Sequence, residues 1–137
     1  MKYKIVEKLT KKQINDLYKL YKKEWWTNTR DKKSIKKMLK HTDITLAIVN
    51  KKEKLIGFIR VLSDFTYKAE IYDVIVATKY RNKGLGSILI KSILNHKKLK
   101  NVEQFNLQCK KDMVPYYKKF GFKKIKNLNY LQYSKSN

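Results

Sequence analysis

This chain predicts a mixed α/β (α+β) fold built on a largely antiparallel sheet. Three observations carry the expectation. Apolar residues recur at helical spacing before residue 41, then at strand spacing from 44 to 77. A β-branched run at 69–77 then passes through a glycine-bearing loop into a second helical pattern. Only four glycines and one proline punctuate 137 residues, and they fall at element boundaries rather than in a linker.

The elements follow in order. Residues 3–9 read as a short first strand. Over 11–25, Ile14, Leu17, Tyr18, Tyr21 and Trp25 make one apolar stripe, which places Trp25 in the core. A second helix begins near Asp31 and buries Ile35, Met38 and Leu39. Strands are expected at 44–49, 55–62 and 69–77, the first two joined by the polar turn Asn50-Lys51-Lys52-Glu53. Leu85, Ile88, Leu89, Ile93 and Leu94 line one face of the next helix, and Lys97 and Lys98 suit its negative pole. A strand at 102–109 and a helix at 114–120 follow, the latter stopped by Gly121. Two short strands, at 122–126 and 129–133, complete the order β-αα-βββ-α-β-α-ββ. That makes about six to seven strands flanked by about four helices.

With 42% hydrophobic residues the chain can bury a core, and residues 1–137 read as a single domain. No run approaches the roughly 20 apolar residues of a membrane span, and the start lacks a secretory signal's apolar core. A cytoplasmic, non-membrane protein is expected. Cys109 is the single cysteine, so no internal disulfide and no zinc spacing is available, and no metal is expected. The 34 basic residues against 11 acidic ones leave +23. Such a charge raises nucleic-acid binding as a reading. Against it, the chain has only three arginines, Arg30, Arg60 and Arg81, and its lysines are dispersed. Specific nucleic-acid recognition is therefore not the leading expectation.

The segment that carries chemistry is Arg81-Asn82-Lys83-Gly84-Leu85-Gly86, between an apolar strand and a helix. Glycines there let backbone approach a ligand, and free amides at the helix start favour an anion. Arg81 and Lys83 add positive charge, so a phosphate or diphosphate is the expected ligand. The chain has no G-x-x-x-x-G-K-[ST], and Leu89 stands where a dinucleotide fingerprint needs its third glycine.

VIVATKYRNKGLGSILI resembles the coenzyme A pyrophosphate signature of the GNAT acetyltransferases, and the element order resembles the GNAT fold over nearly the whole chain. The resemblance implies acetyl-coenzyme A as cofactor. Amides of Arg81, Asn82, Lys83, Gly84, Leu85 and Gly86 would hold its pyrophosphate. The backbone of Val74, Ile75 and Val76 would pair with the pantetheine arm, between splayed fourth and fifth strands. CKKDMVPYYKKFGF is similar to the segment around the catalytic tyrosine of arylalkylamine N-acetyltransferases, which gives Tyr117 the role of acid toward the leaving thiolate. Vertebrate members of that branch carry histidines where this chain has Glu70 and Tyr72.

Acetyl transfer to an amine also needs an oxyanion donor, expected from the fourth-strand backbone near Val76. For the base, Glu70 leads, with Asp73 and solvent as alternatives. Strand alternation puts Glu70, Tyr72, Val74 and Val76 on one face and Asp73 on the other, unless a bulge intervenes. Trp26, Tyr72 and Asp73 are the expected acceptor-binding residues, with Phe65 and Tyr67 as further aromatic wall. The predicted activity is acetyl-coenzyme A-dependent transfer to a primary amine of a small molecule or peptide, by a monomer or homodimer. The alternatives are a non-catalytic acyl-coenzyme A-binding module and a lysine-rich nucleic-acid-binding domain.

Overall fold

A computed structural model describes residues 2–135. The strands are β1 (Tyr3–Val6), β2 (Ile44–Asn50), β3 (Leu55–Ser63), β4 (Lys68–Val76) and β5 (Gln104–Leu107), and the helices are α1 (Lys11–Lys22), α2 (Lys32–Lys40), α3 (Leu85–Leu94) and α4 (Val114–Lys118). They form one sheet in the order β1-β2-β3-β4-β5. β1 to β4 pair antiparallel, and β5 joins β4 in parallel after the α3 crossover.

Both faces of the sheet are covered. α3 packs Leu85, Leu89, Ile90 and Ile93 against Ile48, Ile59, Val61 and Ile71 on one face. On the other, α1 and α2 bury Leu17, Tyr21 and Ile35 against Ala47, Val49, Phe58 and Ile75. This explains why β2 and β3 read as continuous apolar runs rather than alternating ones.

Local chemistry sets the helix starts. Thr10 and Gln13 cap α1 reciprocally: Thr10 Oγ1 accepts from the Gln13 amide at 3.1 Å, and Gln13 Oε1 accepts from the Thr10 amide at 3.0 Å. Asp31 Oδ1 accepts from the Ser34 amide at 2.7 Å and begins α2.

Two sequence expectations are corrected. α1 ends at Lys22, where Thr27 Oγ1 donates to the Tyr21 carbonyl at 2.8 Å and folds the chain back. Trp25 thus leaves the helical stripe; it is 68% exposed, with Lys110 Nζ 4.8 Å from its ring centroid. The two strands expected at 122–126 and 129–133 do not form, so among the described residues the sheet has five strands rather than six or seven. Asn127 takes a left-handed φ of 65° that breaks the run. Ile125, Leu128, Leu131 and Tyr133 are exposed, so their alternation meets no packing surface.

Candidate active site

The site is organised by an irregularity in β4. Along β3–β4, Phe58 faces Ile75 and Arg60 faces Tyr72, so β4 carries one residue more than β3 between those pairs. Asp73 takes up the extra length at φ 56°, a conformation open chiefly to Gly, Asn and Asp. The bulge exchanges the faces of the strand. Ala69 and Ile71 point to α3 before it, and Val74 and Val76 do so after it. Glu70 and Tyr72 therefore share the α1/α2 face with Ile75 and Asp73, not with Val74 and Val76 as regular alternation implies.

Pairing changes at the same place. β5 follows β4 only from Lys68↔Gln104 to Ile71↔Leu107. Beyond Ile71 the β5-facing edge of β4 has no strand partner among the described residues, so the backbone of Val74, Ile75 and Val76 stands at a gap in the sheet.

Asp73 is anchored from beneath. Its Oδ2 accepts from Arg60 Nε at 2.6 Å, Arg30 Nη1 at 2.7 Å and Tyr21 Oη at 2.9 Å, and its side chain is only 4% exposed. Burial by itself would raise the carboxyl's pKa; the hydrogen bonds and charges of Arg30 and Arg60 outweigh it and hold the group below the ordinary carboxylate range. Tyr21 shifts the other way, raised by its own burial and then by Asp73, and stays neutral.

The loop after β4 meets the requirements of an anion cradle. Asn82 and Gly84 both take left-handed φ, 63° and 80°. The first amide of α3 bonded back into the loop is Ile88, to Gly84 O at 3.1 Å. Among the described residues, the amides of 82–87 donate to no backbone or side-chain acceptor. A Cβ at Gly84 would meet nothing within 4 Å, so that position opens to solvent. Arg81 is spent on the frame, which removes its amide from the predicted set: its N–H donates to Thr78 O at 3.3 Å, Nε donates to Val76 O at 2.9 Å, and Nη2 reaches Glu24 Oε1 at 2.9 Å. A diphosphate fits these free amides and this open glycine.

Gly86 differs. A Cβ there would lie 2.8 Å from Tyr116 Oη, so this glycine makes room for a tyrosine from α4. Tyr117 turns the other way, into an open groove of about 1290 Å³ between β4, β5, α4 and the C-terminal segment. Glu70, Tyr72, Leu107 and Cys109 line the same groove. The Tyr117 ring is held edge-to-face by Tyr116 and Phe122. Its hydroxyl has no hydrogen-bond partner among the described residues. Burial first, then Tyr116 and Cys109, push its pKa up to about 12.

The predicted acceptor residues separate. Tyr72 lines the groove; Asp73 lies beneath the strand in its ionic anchor; Trp26, 41% exposed, does not line the groove. Sequence reasoning missed the partners Tyr21, Glu24, Arg30, Arg60 and Tyr116. A signal existed for the arginines. All three pair with carboxylates, whereas Lys4 is the only lysine that does so among the described residues. In a chain this rich in lysine, each arginine marks a place where the planar fork is needed.

Comparison with known proteins agrees with this geometry. Residues 5–132 match the family model described as Acetyltransferase (GNAT) domain. The chain is 30% identical over 127 residues to the uncharacterized N-acetyltransferase ycf52 of Pyropia yezoensis, covering 89% of this chain and 72% of that protein. It is also 30% identical over 112 residues to ycf52 of Gracilaria tenuistipitata var. liui, where it covers 80% of this chain but 61% of the relative. Among solved structures, a GNAT-family acetyltransferase of Streptococcus pneumoniae superimposes with a TM-score of 0.77 at 20% identity, covering 99% of this chain and 98% of that one, and shares the fold. The free amides before α3, the opened edge of β4 and the matched family model together make this chain a GNAT-family N-acetyltransferase.

Proposed function

We propose that this protein transfers an acetyl group from acetyl-coenzyme A directly to a primary amine. The observation that carries the reading is the continuity of three features. The unpartnered amides of 82–87 lie at one end, the unpaired edge of β4 in the middle, and a groove lined by Tyr117 and Glu70 at the other.

The chain's residues divide the work. Amides of Asn82 to Gly86 bind the pyrophosphate, with Lys83 adding charge, while Arg81 holds the loop to Val76. The backbone of Val74, Ile75 and Val76 orients the pantetheine arm as an added strand would be held. The bound thioester supplies an activated acyl group. An amide near Val76 donates to its carbonyl oxygen as charge develops there. Glu70, in the groove, takes the proton from the amine directly or through water. Tyr117 holds the proton destined for sulfur. Its pKa of about 12 keeps it protonated at neutral pH. A thiolate released beside the partly buried Tyr117 ring shares part of that burial penalty, so the two pKa values rise together. Asp73 is assigned a structural part, holding the bulge that opens the strand edge.

No described helix is long and apolar enough to cross a membrane. A relative from Arabidopsis thaliana is named GCN5-related N-acetyltransferase 2, chloroplastic. An aqueous compartment, cytoplasm or plastid interior, is the proposed location.

The test is single-turnover thiol release from acetyl-coenzyme A in the presence of amines, with wild type beside Tyr117→Phe. The proposed acid role predicts a fall of about 10²-fold or more in the chemical step with cofactor affinity kept. An unaffected rate in Tyr117→Phe would remove Tyr117 from the chemistry.

A further inference from the structure

The Asp73 anchor does not balance its charges. Two guanidiniums share one carboxylate oxygen, and Tyr21 stays neutral, so the cluster carries a surplus positive charge. Arg60 spends only Nε on Asp73. Neither of its Nη groups donates to an oxygen among the described residues. Both reach solvent, because no buried side-chain nitrogen there is left without a partner.

That charge sits beside the groove rather than in its lining: neither Arg60 nor Arg30 lines it, and Arg60 borders it through the Tyr72 ring. Arg60 lies opposite Tyr72 in the β3–β4 register, with its guanidinium carbon 4.9 Å from the Tyr72 ring centroid. Tyr72 and Glu70 share that face and line the groove, about 7 Å apart along the strand. The rest of the lining has the same sign: five lysines stand against Glu70 and Glu103. A ring already faced by a guanidinium is a poor host for a second cation.

We propose that Arg60, supported by Arg30, forms an anion-binding subsite for the acceptor, so that the amine substrate carries a carboxylate or phosphate group. This rests on the acetyl-transfer reading: the amine sits at Glu70, and its anionic substituent passes Tyr72 to the free Nη groups of Arg60. A guanidinium with two free Nη groups, on a side chain 12% exposed, is the group suited to hold such an oxyanion. The same surplus charge favours the neutral form of the bound amine, the form that attacks.

The test is calorimetric titration of protein saturated with desulfo-coenzyme A, which fills the pyrophosphate loop, at ionic strength near 0.15 M to screen the dispersed lysines. Two matched pairs whose amine and anion can stand about 7 Å apart serve as probes: hexylamine against 6-aminohexanoate, and 4-aminobutanol against 4-aminobutyl phosphate. The expected result is at least ~10-fold tighter binding of the anionic member in one pair, and which pair responds separates carboxylate from phosphate. Arg60→Gln should abolish that preference and Arg60→Lys should retain part of it, and desulfo-coenzyme A affinity is titrated in each variant so that any disturbance of the Asp73 anchor is read apart from the preference. Arg30→Gln, which leaves the Arg60–Asp73 bond in place, should weaken the preference without abolishing it. No preference in either pair, or a preference that survives Arg60→Gln, overturns the subsite. Failure of desulfo-coenzyme A to bind would instead break the acetyl-transfer reading, and it is read from a separate titration.

Discussion

The two halves of β4 are built from similar residues and behave oppositely. From Ala69 to Ile71 the strand is paired on both edges, to β3 and to β5. Among the described residues, Ile75 and Val76 are paired to β3 alone. Between them stands Asp73, in a left-handed conformation and gripped by three donors. The difference shows how a sheet can keep its stability while leaving backbone unspent. The bulge turns the strand, the ionic anchor fixes the bulge, and the released edge becomes the place where a ligand is held. The two carboxylates divide accordingly, Asp73 inside the structure and Glu70, three residues earlier, facing the groove.

Substituting those carboxylates breaks the comparison most sharply. Asp73→Ala leaves Arg30 and Arg60 without their partner and should cost about 3–5 kcal/mol in urea unfolding. Glu70→Gln should leave the unfolding midpoint nearly unchanged while slowing turnover. Equal stability losses in the two variants would contradict the division.

The Asp73 contribution has a defined pH sign. A carboxyl whose pKa is lowered on folding stabilises above its unfolded value, ordinarily near 3.8, and that stability is lost as pH falls through the lowered folded value. Wild type should therefore lose stability steeply below about pH 4, at about 1.4 kcal/mol per unit of pKa difference. Asp73→Asn should lack that slope in acid unfolding curves.

A smaller effect separates the two loop glycines. Gly86→Ala places a methyl group 2.8 Å from Tyr116 Oη. It should lower stability by about 1 kcal/mol and weaken cofactor binding a few-fold, as α4 shifts. Gly86→Ala combined with Tyr116→Phe should recover most of the loss. Strict additivity in that double-mutant cycle would contradict the contact.

Much of this was legible in the residues. The change of hydrophobic period located nine elements within a few residues, because each helix and buried strand packs on a distinct face. The loop at 81–86 announced its chemistry because a left-handed turn before a helix demands glycine at position 84. The α1 terminus was not legible: Trp25 continues the apolar spacing, and only the Thr27 hydrogen bond to Tyr21 O explains why the helix stops short. The exchange of faces in β4 was hidden because Asp73 is not a glycine, and a single inserted residue leaves no composition signal. The Asp73 anchor gathers residues 21, 30, 60 and 73, a contact no local spacing can show. The C-terminal strands failed for the converse reason, since alternation alone supplies no partner edge.

The central claim is that the gap beside β4 and the loop before α3 together receive acetyl-coenzyme A. Calorimetric titration of desulfo-coenzyme A, with ATP as comparison at fixed salt, tests it most directly. The account predicts saturable binding of one molecule per chain that ATP does not reproduce, because only the coenzyme presents an arm to the edge of residues 74–76. Equal binding of both ligands would reduce the loop to one basic patch among many and contradict the account.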